Sequence, residues 1–288
     1  KWGVDIELKE ADYDTCLTLF ASGQCDAACL TNMDSLAPAL GRKAVGILPT
    51  STSFGADALI VAKSITDVKQ LKGKKVYGLE ATVSEYTFAR NLELLGEDEK
   101  DYDFSNMDPA AAAMAMQQKQ KDYDAVVVWN PFVLETLKKR DDVTVLFDST
   151  AIPGEIIDMV TMSADSLEKP GGAAFAHAVI DAFYQVSAMI DEPTTRDATL
   201  IALGEKFSSL ELDAMKKVVE QTKFYATAAD GIALYEGTDI KDTMKKVSGF
   251  CLDHGIIDAP AKLVFGEDEE GSDLLFDASY MKAVQAKN

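Results

Sequence analysis

The chain has 288 residues, 47% hydrophobic and 26% charged, with 28 Lys and Arg against 48 Asp and Glu. That length supplies core for about two domains without staples, and the hydrophobic fraction excludes general disorder. The formal charge of −20 argues against nucleic acid and anionic membrane surfaces as partners. By eye, no apolar run approaches the ~20 residues of a membrane span.

The four cysteines are Cys16, Cys25, Cys29 and Cys251. Cys25 and Cys29 have no nearby histidine, so they make a poor zinc site, and unpaired thiols are expected over a disulfide. The abrupt start at Lys1-Trp2-Gly3-Val4 carries no signal peptide, which fits a processed or truncated beginning.

Val4 to Leu8 alternates with period two and predicts a strand. A helix over Thr15 to Ser22 stops at Gly23, and strands follow at Ala27 to Thr31 and Val45 to Leu48. The second is expected to close at Pro49 in a Ser/Thr-rich loop before a further strand at Ala58 to Ala62. Ile65 to Leu71 predicts a short helix and Val76 to Leu79 a strand. Ser84 is expected to cap a helix running to Leu95, and Asp108-Pro109 to open another that ends near Gln120. Strands at Ala125 to Val128, Val143 to Phe147 and Met159 to Met162 follow, the first leading into Trp129-Asn130-Pro131. Beyond Pro170 four helices are expected: Ala173 to Ile190, Thr195 to Phe207, Leu210 to Gln221 and Asp239 to Gly255. Short apolar strands alternating with helices mark an α/β fold with parallel-rich sheets, here in two successive sets with a helical C-terminal tail.

Ligands of open parallel sheets sit beyond the carboxyl ends of the strands. Those positions hold Asn32 and Asp34, then Phe54 and Asp57, then Glu80, Ser84 and Glu85, then Trp129 and Asn130, and finally Asp158. Five are carboxylates and none is Lys or Arg. With Trp129 and Phe54 as aromatic walls, the set suits a small cation, held by charge-assisted hydrogen bonds and cation–π contact. Plainer roles stand beside this: Asp34 and Ser84 as helix caps, Asp57 as a loop tie, Trp129 as core. No nucleophile motif, phosphate loop or metal triad is present, and His177 and His254 fall on predicted tail helices, so no catalytic residue, cofactor or metal is expected.

The run from Phe20 to Ala27 with Thr31-Asn32, the segment Leu71 to Val76, and Trp129-Asn130-Pro131 resemble type II periplasmic solute-binding proteins. They are similar to the nitrate, sulfonate and taurine branch of ABC-importer binding proteins. Within it the pattern looks closest to the binding proteins found with urea carboxylase, which implies a guanidine-like solute. The resemblance implies a two-lobed fold, with residues 1–62 and 163–288 in lobe 1 and 63–162 in lobe 2. It also implies an interlobe ligand site, hinge crossings near Ala62 and Met162, and a monomer that meets ABC permease transmembrane subunits outside the cytoplasmic membrane, with or without a lipid anchor. Members begin with a strand and helix ahead of Trp2-Gly3-Val4-Asp5, a segment this sequence does not contain. The alternatives are a small anion such as sulfonate, taurine or nitrate, a thiamine pyrimidine precursor, or an enzyme on the same scaffold.

Overall fold

The computed structural model describes every residue except Ser208 and Asn288. Eleven strands are found among the described residues: β1 (Ala27–Thr31), β2 (Ala44–Ser53), β3 (Asp57–Ala62), β4 (Lys75–Gly78), β5 (Asp103–Asn106), β6 (Ala125–Trp129), β7 (Val143–Asp148), β8 (Ile157–Ser163), β9 (Thr222–Phe224), β10 (Leu263–Phe265) and β11 (Leu274–Phe276). They form two mixed sheets. One runs β1-β8-β2-β11-β10 with β9 beside β2, and the other runs β5-β4-β6-β3-β7.

The chain divides into two units. Unit 1 comprises residues 1–52, 157–196 and 224–288, and unit 2 comprises 53–156 and 197–223. The chain therefore changes unit after Thr52 and after Ile156, earlier than the crossings expected near Ala62 and Met162. It passes again within the helix Pro193–Lys206 and after Lys223, so part of the expected tail belongs to unit 2.

In unit 1, β8 lies antiparallel to both β1 and β2, while β11 runs parallel to β2 and to β10. Its core holds Phe20, Leu30, Ile47, Leu48, Met159, Tyr235 and Phe276, all buried. Phe276 stacks on Phe265 at 4.8 Å and meets Tyr235 edge-on at 5.4 Å. Each such side chain stabilises the fold by about 1.5–3 kcal/mol through the apolar surface it removes from water.

Unit 2 shows the period of two directly. Ala58 and Ile60 of β3 join Val126 and Val128 of β6 on one face, against Ala112 and Met116 of the helix Pro109–Gln117. Leu59 and Val61 join Val76 and Val127 on the other, against Phe88 and Leu92 of the helix Val83–Leu94. β4 ends on Gly78, where a Cβ would fall 2.7 Å from the Phe104 ring and 3.1 Å from the Val127 carbonyl oxygen, so no larger residue fits.

Some expectations need correction. Val4 to Leu8 forms no strand; Val4 and Ile6 are half-buried and Asp5, Glu7 and Leu8 exposed, but the segment pairs with no strand among the described residues. β2 does not stop at Pro49 but continues to Ser53, because its ladder with β8 breaks register between Pro49 and Ser51, where the missing proline N–H costs nothing. The expected helix at Ile65 is a 3₁₀ turn over Val68–Leu71. Beyond Pro170 the chain is not only helical: β9, β10 and β11 lie there, with further helices at Ala228–Glu236 and Ser279–Gln285. The 20-residue helix Gly172–Asp191 is long and apolar enough in composition to cross a membrane, contrary to the reading by eye. Here it packs against Ser279–Gln285 in unit 1, and its buried Asp181 accepts from the Trp2 indole at 3.0 Å and pairs with Lys1 at 3.2 Å.

Candidate functional site

In each sheet an antiparallel strand begins at the edge where its neighbours end. In unit 1, β8 starts there, so Asp158 stands directly between Thr31 of β1 and Ser51 of β2. In unit 2, β3 starts there, so Asp57 stands opposite Trp129 of β6.

The unit 1 edge is a polar row. Ser51 donates its hydroxyl to Asp158 Oδ2 at 2.8 Å. Asp158 has no Lys, Arg or His partner among the described residues, and burial pushes its carboxyl up to about 6 against the single Ser51 hydrogen bond. Tyr225, whose N–H donates to the Thr50 carbonyl at 3.0 Å, lies in the field of Asp158, and burial followed by that charge raises its phenol to about 12. Asn32 is fully buried and structural: its Oδ1 accepts from Ile157 N–H at 3.0 Å, its own N–H donates to Ile157 O at 2.8 Å, and its Nδ2 reaches Met244 Sδ at 3.5 Å. Asp34 is buried, with Oδ2 accepting from Tyr13 Oη at 2.8 Å and Thr31 Oγ1 at 2.9 Å. It ties the helix Tyr13–Ala21 to the end of β1 and caps no helix.

The unit 2 edge holds the remaining expected residues. Asp57 is buried and its N–H donates to Ser53 Oγ at 3.2 Å. Trp129 is half-buried and meets Phe132 edge-on at 6.4 Å. Asn130 is 7% exposed; its Nδ2 donates to Gln221 Oε1 at 2.8 Å, while its Oδ1 is buried with no hydrogen-bond partner. Ser84 does not cap its helix. Thr82 does, its hydroxyl accepting from Ser84 N–H at 3.3 Å and donating to the Leu79 carbonyl at 2.8 Å. Ser84 falls one position into the helix, 1% exposed, with its own hydroxyl buried and unpartnered. Glu85 accepts from Ala81 N–H at 2.7 Å and holds that residue at φ +57°. Glu80 is exposed, with its N–H bonded to Asn106 Oδ1 at 3.1 Å, so its carboxylate is in solvent rather than at the end of a buried strand.

The segment 221–225 was invisible to sequence reasoning. Gln221 holds Asn130 and accepts from Phe54 N–H through its carbonyl at 2.9 Å. Lys223 places its ammonium 3.4 Å from the centre of the Phe54 ring. Phe54 is therefore already faced by a cation, and the expectation of an edge without Lys or Arg is corrected. No local signal could have shown this, because the segment sits far along the chain in a stretch that reads as the end of a helix.

The histidines serve elsewhere. His177 packs against Trp2 at 4.9 Å and Tyr280 at 5.8 Å, its pKa lowered by burial and by Lys287. His254 stacks on Phe250 at 3.8 Å. Among the described residues no group of three or more His, Cys, Asp or Glu is placed to hold a metal ion.

No curated protein sequence gives a significant match. Solved structures do. The periplasmic aliphatic sulphonate binding protein SsuA of Escherichia coli is similar at 21% identity and TM-score 0.64, covering 85% of this chain and 76% of its own. The alkanesulfonate-binding protein SsuA of Xanthomonas axonopodis pv. citri, bound to MOPS, aligns at 16% identity and TM-score 0.66, with 83% and 79% covered. The ligand-binding component of an ABC-type import system from Staphylococcus aureus, with zinc bound, aligns at 11% and TM-score 0.68, with 96% and 87% covered. At these identities the likeness shows the fold, which is that of the periplasmic binding proteins. The family model described as NMT1/THI5 like matches residues 1–185, well over half of the chain, and the protein belongs to that family.

Proposed function

We propose that this protein is the extracytoplasmic solute-binding component of an ABC importer, delivering a small solute to permease transmembrane subunits without chemical change. The solute is nitrogen-rich and cationic, of guanidine type. The observation that carries this reading is Asp158: a carboxylate at a sheet edge, held by one hydroxyl, with burial raising it to about 6 and no basic side chain beside it. A planar cation would supply the missing counter-charge and donate to its second oxygen. Thr31, Ser51 and Tyr225 complete a polar and aromatic setting in the same unit. The names of the similar structures support the transport role, by analogy of fold.

A second reading makes the solute a small oxyanion. Lys223 at Phe54 favours it, as does the buried, unpartnered Ser84 hydroxyl in the first turn of a 12-residue helix. Two of the similar structures are sulfonate binders.

Calorimetry against guanidinium, small amines, taurine, alkanesulfonates and nitrate between pH 5 and 7.5 separates the two. A cation that binds ionised Asp158 gains affinity as pH rises through about 6 and releases a proton on binding below it. An anion hit whose affinity falls or stays level over that range overturns the cationic reading. Recovery of the solute chemically altered overturns the transport reading itself.

A further inference from the structure

We propose that the solute is a monocation with an apolar tail, its head on Asp158 and its tail along the open strip of strand face that leads to Cys29. This deepens the cationic reading above and rests on it. β1 and β8 pair antiparallel without a break from Ala27 opposite Met162 to Thr31 opposite Asp158, so the residues of one face fall into rows. Asp158 and Thr31 make the first row, Val160 and Cys29 the second, and Met162 and Ala27 the third. Successive rows on a face are about 6.6 Å apart.

Only part of that face is open. Thr31, Val160 and Met162 are buried, whereas Asp158 and Ala27 are half-buried and Cys29 is exposed. β1 is the outermost strand of its sheet, which leaves Cys29 at the rim. The open positions form one strip of carboxylate, thiol and methyl. Cys29 is an exposed residue, yet its thiol is raised, first by the protein around it and next by the Asp158 charge.

Two features of the strip set the chemistry of its occupant. Its charged end is a single acid. Asp34 is engaged by Tyr13 and Thr31, and the Thr31 hydroxyl, donating to Asp34 Oδ2 at 2.9 Å and accepting from its N–H at 3.1 Å, is spent there. Asp26, just ahead of the strand, is held by Lys169 at 2.9 Å and Ser166 at 2.7 Å. The other end is uncharged: neither Cys29 and Ala27 nor Val160 and Met162 opposite them can meet a second ammonium. A diamine would leave that group beside apolar side chains without a counter-charge, which costs binding. An alkyl tail in the same place covers apolar surface and gains from it.

The test has two arms, both on the whole protein. In the first, alkylation by iodoacetamide at pH 8 is followed by peptide mapping. Asp158→Asn should speed alkylation of Cys29 about threefold, the effect of removing a unit charge about 7 Å away in water, and leave Cys25 unchanged. An unchanged Cys29 rate separates the thiol from the carboxylate and overturns the proposal whatever the solute is. In the second, calorimetry compares guanidinium, butylguanidinium and 1,4-diaminobutane. Butylguanidinium should bind about tenfold tighter than guanidinium, bind tighter than 1,4-diaminobutane, and slow the alkylation of Cys29 when saturating. Cys29→Asp, which adds a second carboxylate at an exposed position, should reverse the order of butylguanidinium and 1,4-diaminobutane. Equal affinity for guanidinium and butylguanidinium, with Cys29 unprotected, overturns the tail and leaves the cationic head standing. No binding of any of the three removes the cationic reading and this proposal with it.

Discussion

Two acids three residues apart, Glu155 and Asp158, are treated in opposite ways. Glu155 in unit 2 is 6% exposed and fully engaged: Arg90 donates from Nε at 2.9 Å and from Nη2 at 3.1 Å, and Tyr86 donates at 2.6 Å. Asp158 in unit 1 has one serine hydroxyl and a carboxyl raised to about 6. A buried charge that is paired and hydrogen-bonded is part of the architecture, and one held short of partners is available to something that arrives from outside. The difference teaches where to place function: Glu155 is buried and Asp158 half-buried, and the company they keep separates them more sharply than their burial does.

The largest break in this comparison comes from Glu155→Gln. Leaving the Arg90 guanidinium with only the exposed Glu93 carboxylate as a partner should cost up to about 3–5 kcal/mol, read as a lower midpoint in urea denaturation. Solute affinity in whatever protein remains folded should be unchanged. If the variant is as stable as the wild type, the bidentate pair is not the anchor its geometry describes.

Asp158→Asn should do the reverse. An acid whose folded pKa is raised from an ordinary 3.8 to about 6 keeps a proton that the unfolded chain has released between those values. Its contribution to stability therefore falls as pH rises from about 4 to about 6. Removing the charge should raise stability at pH 7 by on the order of 2 kcal/mol, a gain over wild type that is absent below about pH 4 and grows across that window. Binding of a cationic solute should weaken at least tenfold. A variant less stable at pH 7, with affinity intact, would make Asp158 structural.

A smaller effect sharpens the contrast between two hydroxyls. Thr82→Ala should lose about 1 kcal/mol, since Thr82 caps the helix Val83–Leu94. Ser84→Ala should be neutral or slightly stabilising, because its buried hydroxyl has no partner. Thermal melts of both variants decide this, and a loss of solute affinity confined to Ser84→Ala would favour the oxyanion reading.

The smallest expected change is at Lys223. Lys223→Ala frees the Phe54 face at a stability cost under about 1 kcal/mol. A cationic solute should then bind the same or a few-fold tighter, and an anionic one more weakly. The sign of that change is measurable by calorimetry even though its size is small.

Much of the edge was legible in advance. The strands at Ala27, Ala58, Ala125 and Val143 lie where apolar runs bounded by turn residues put them, and Asn130 follows β6 as expected, whereas Asp57 and Asp158 share the edge because β3 and β8 start there antiparallel to their neighbours. Glu80 and Ser84 were misplaced for a reason of scale: a two-residue shift in the helix start moves the cap from Ser84 to Thr82, and Glu80 falls past the end of β4 into solvent. The expected strand at Val4 failed differently, since alternation is a property of four or five residues whereas a strand needs a neighbour to bond.

Periodicity, capping chemistry and turn residues act over a few residues, so the sequence by itself determined the succession of elements and the faces they bury. It also determined the acidic balance of the chain and which side chains end the strands. Only the tertiary structure decided which of those side chains are satisfied. Arg90 comes to Glu155 and Lys223 to Phe54 over 65 and 169 positions, while Asp158 receives only a hydroxyl from Ser51. Hydrogen bonds and charges act through space at about 3 Å, and the linear spacing of residues carries no record of which distant groups folding will bring that close.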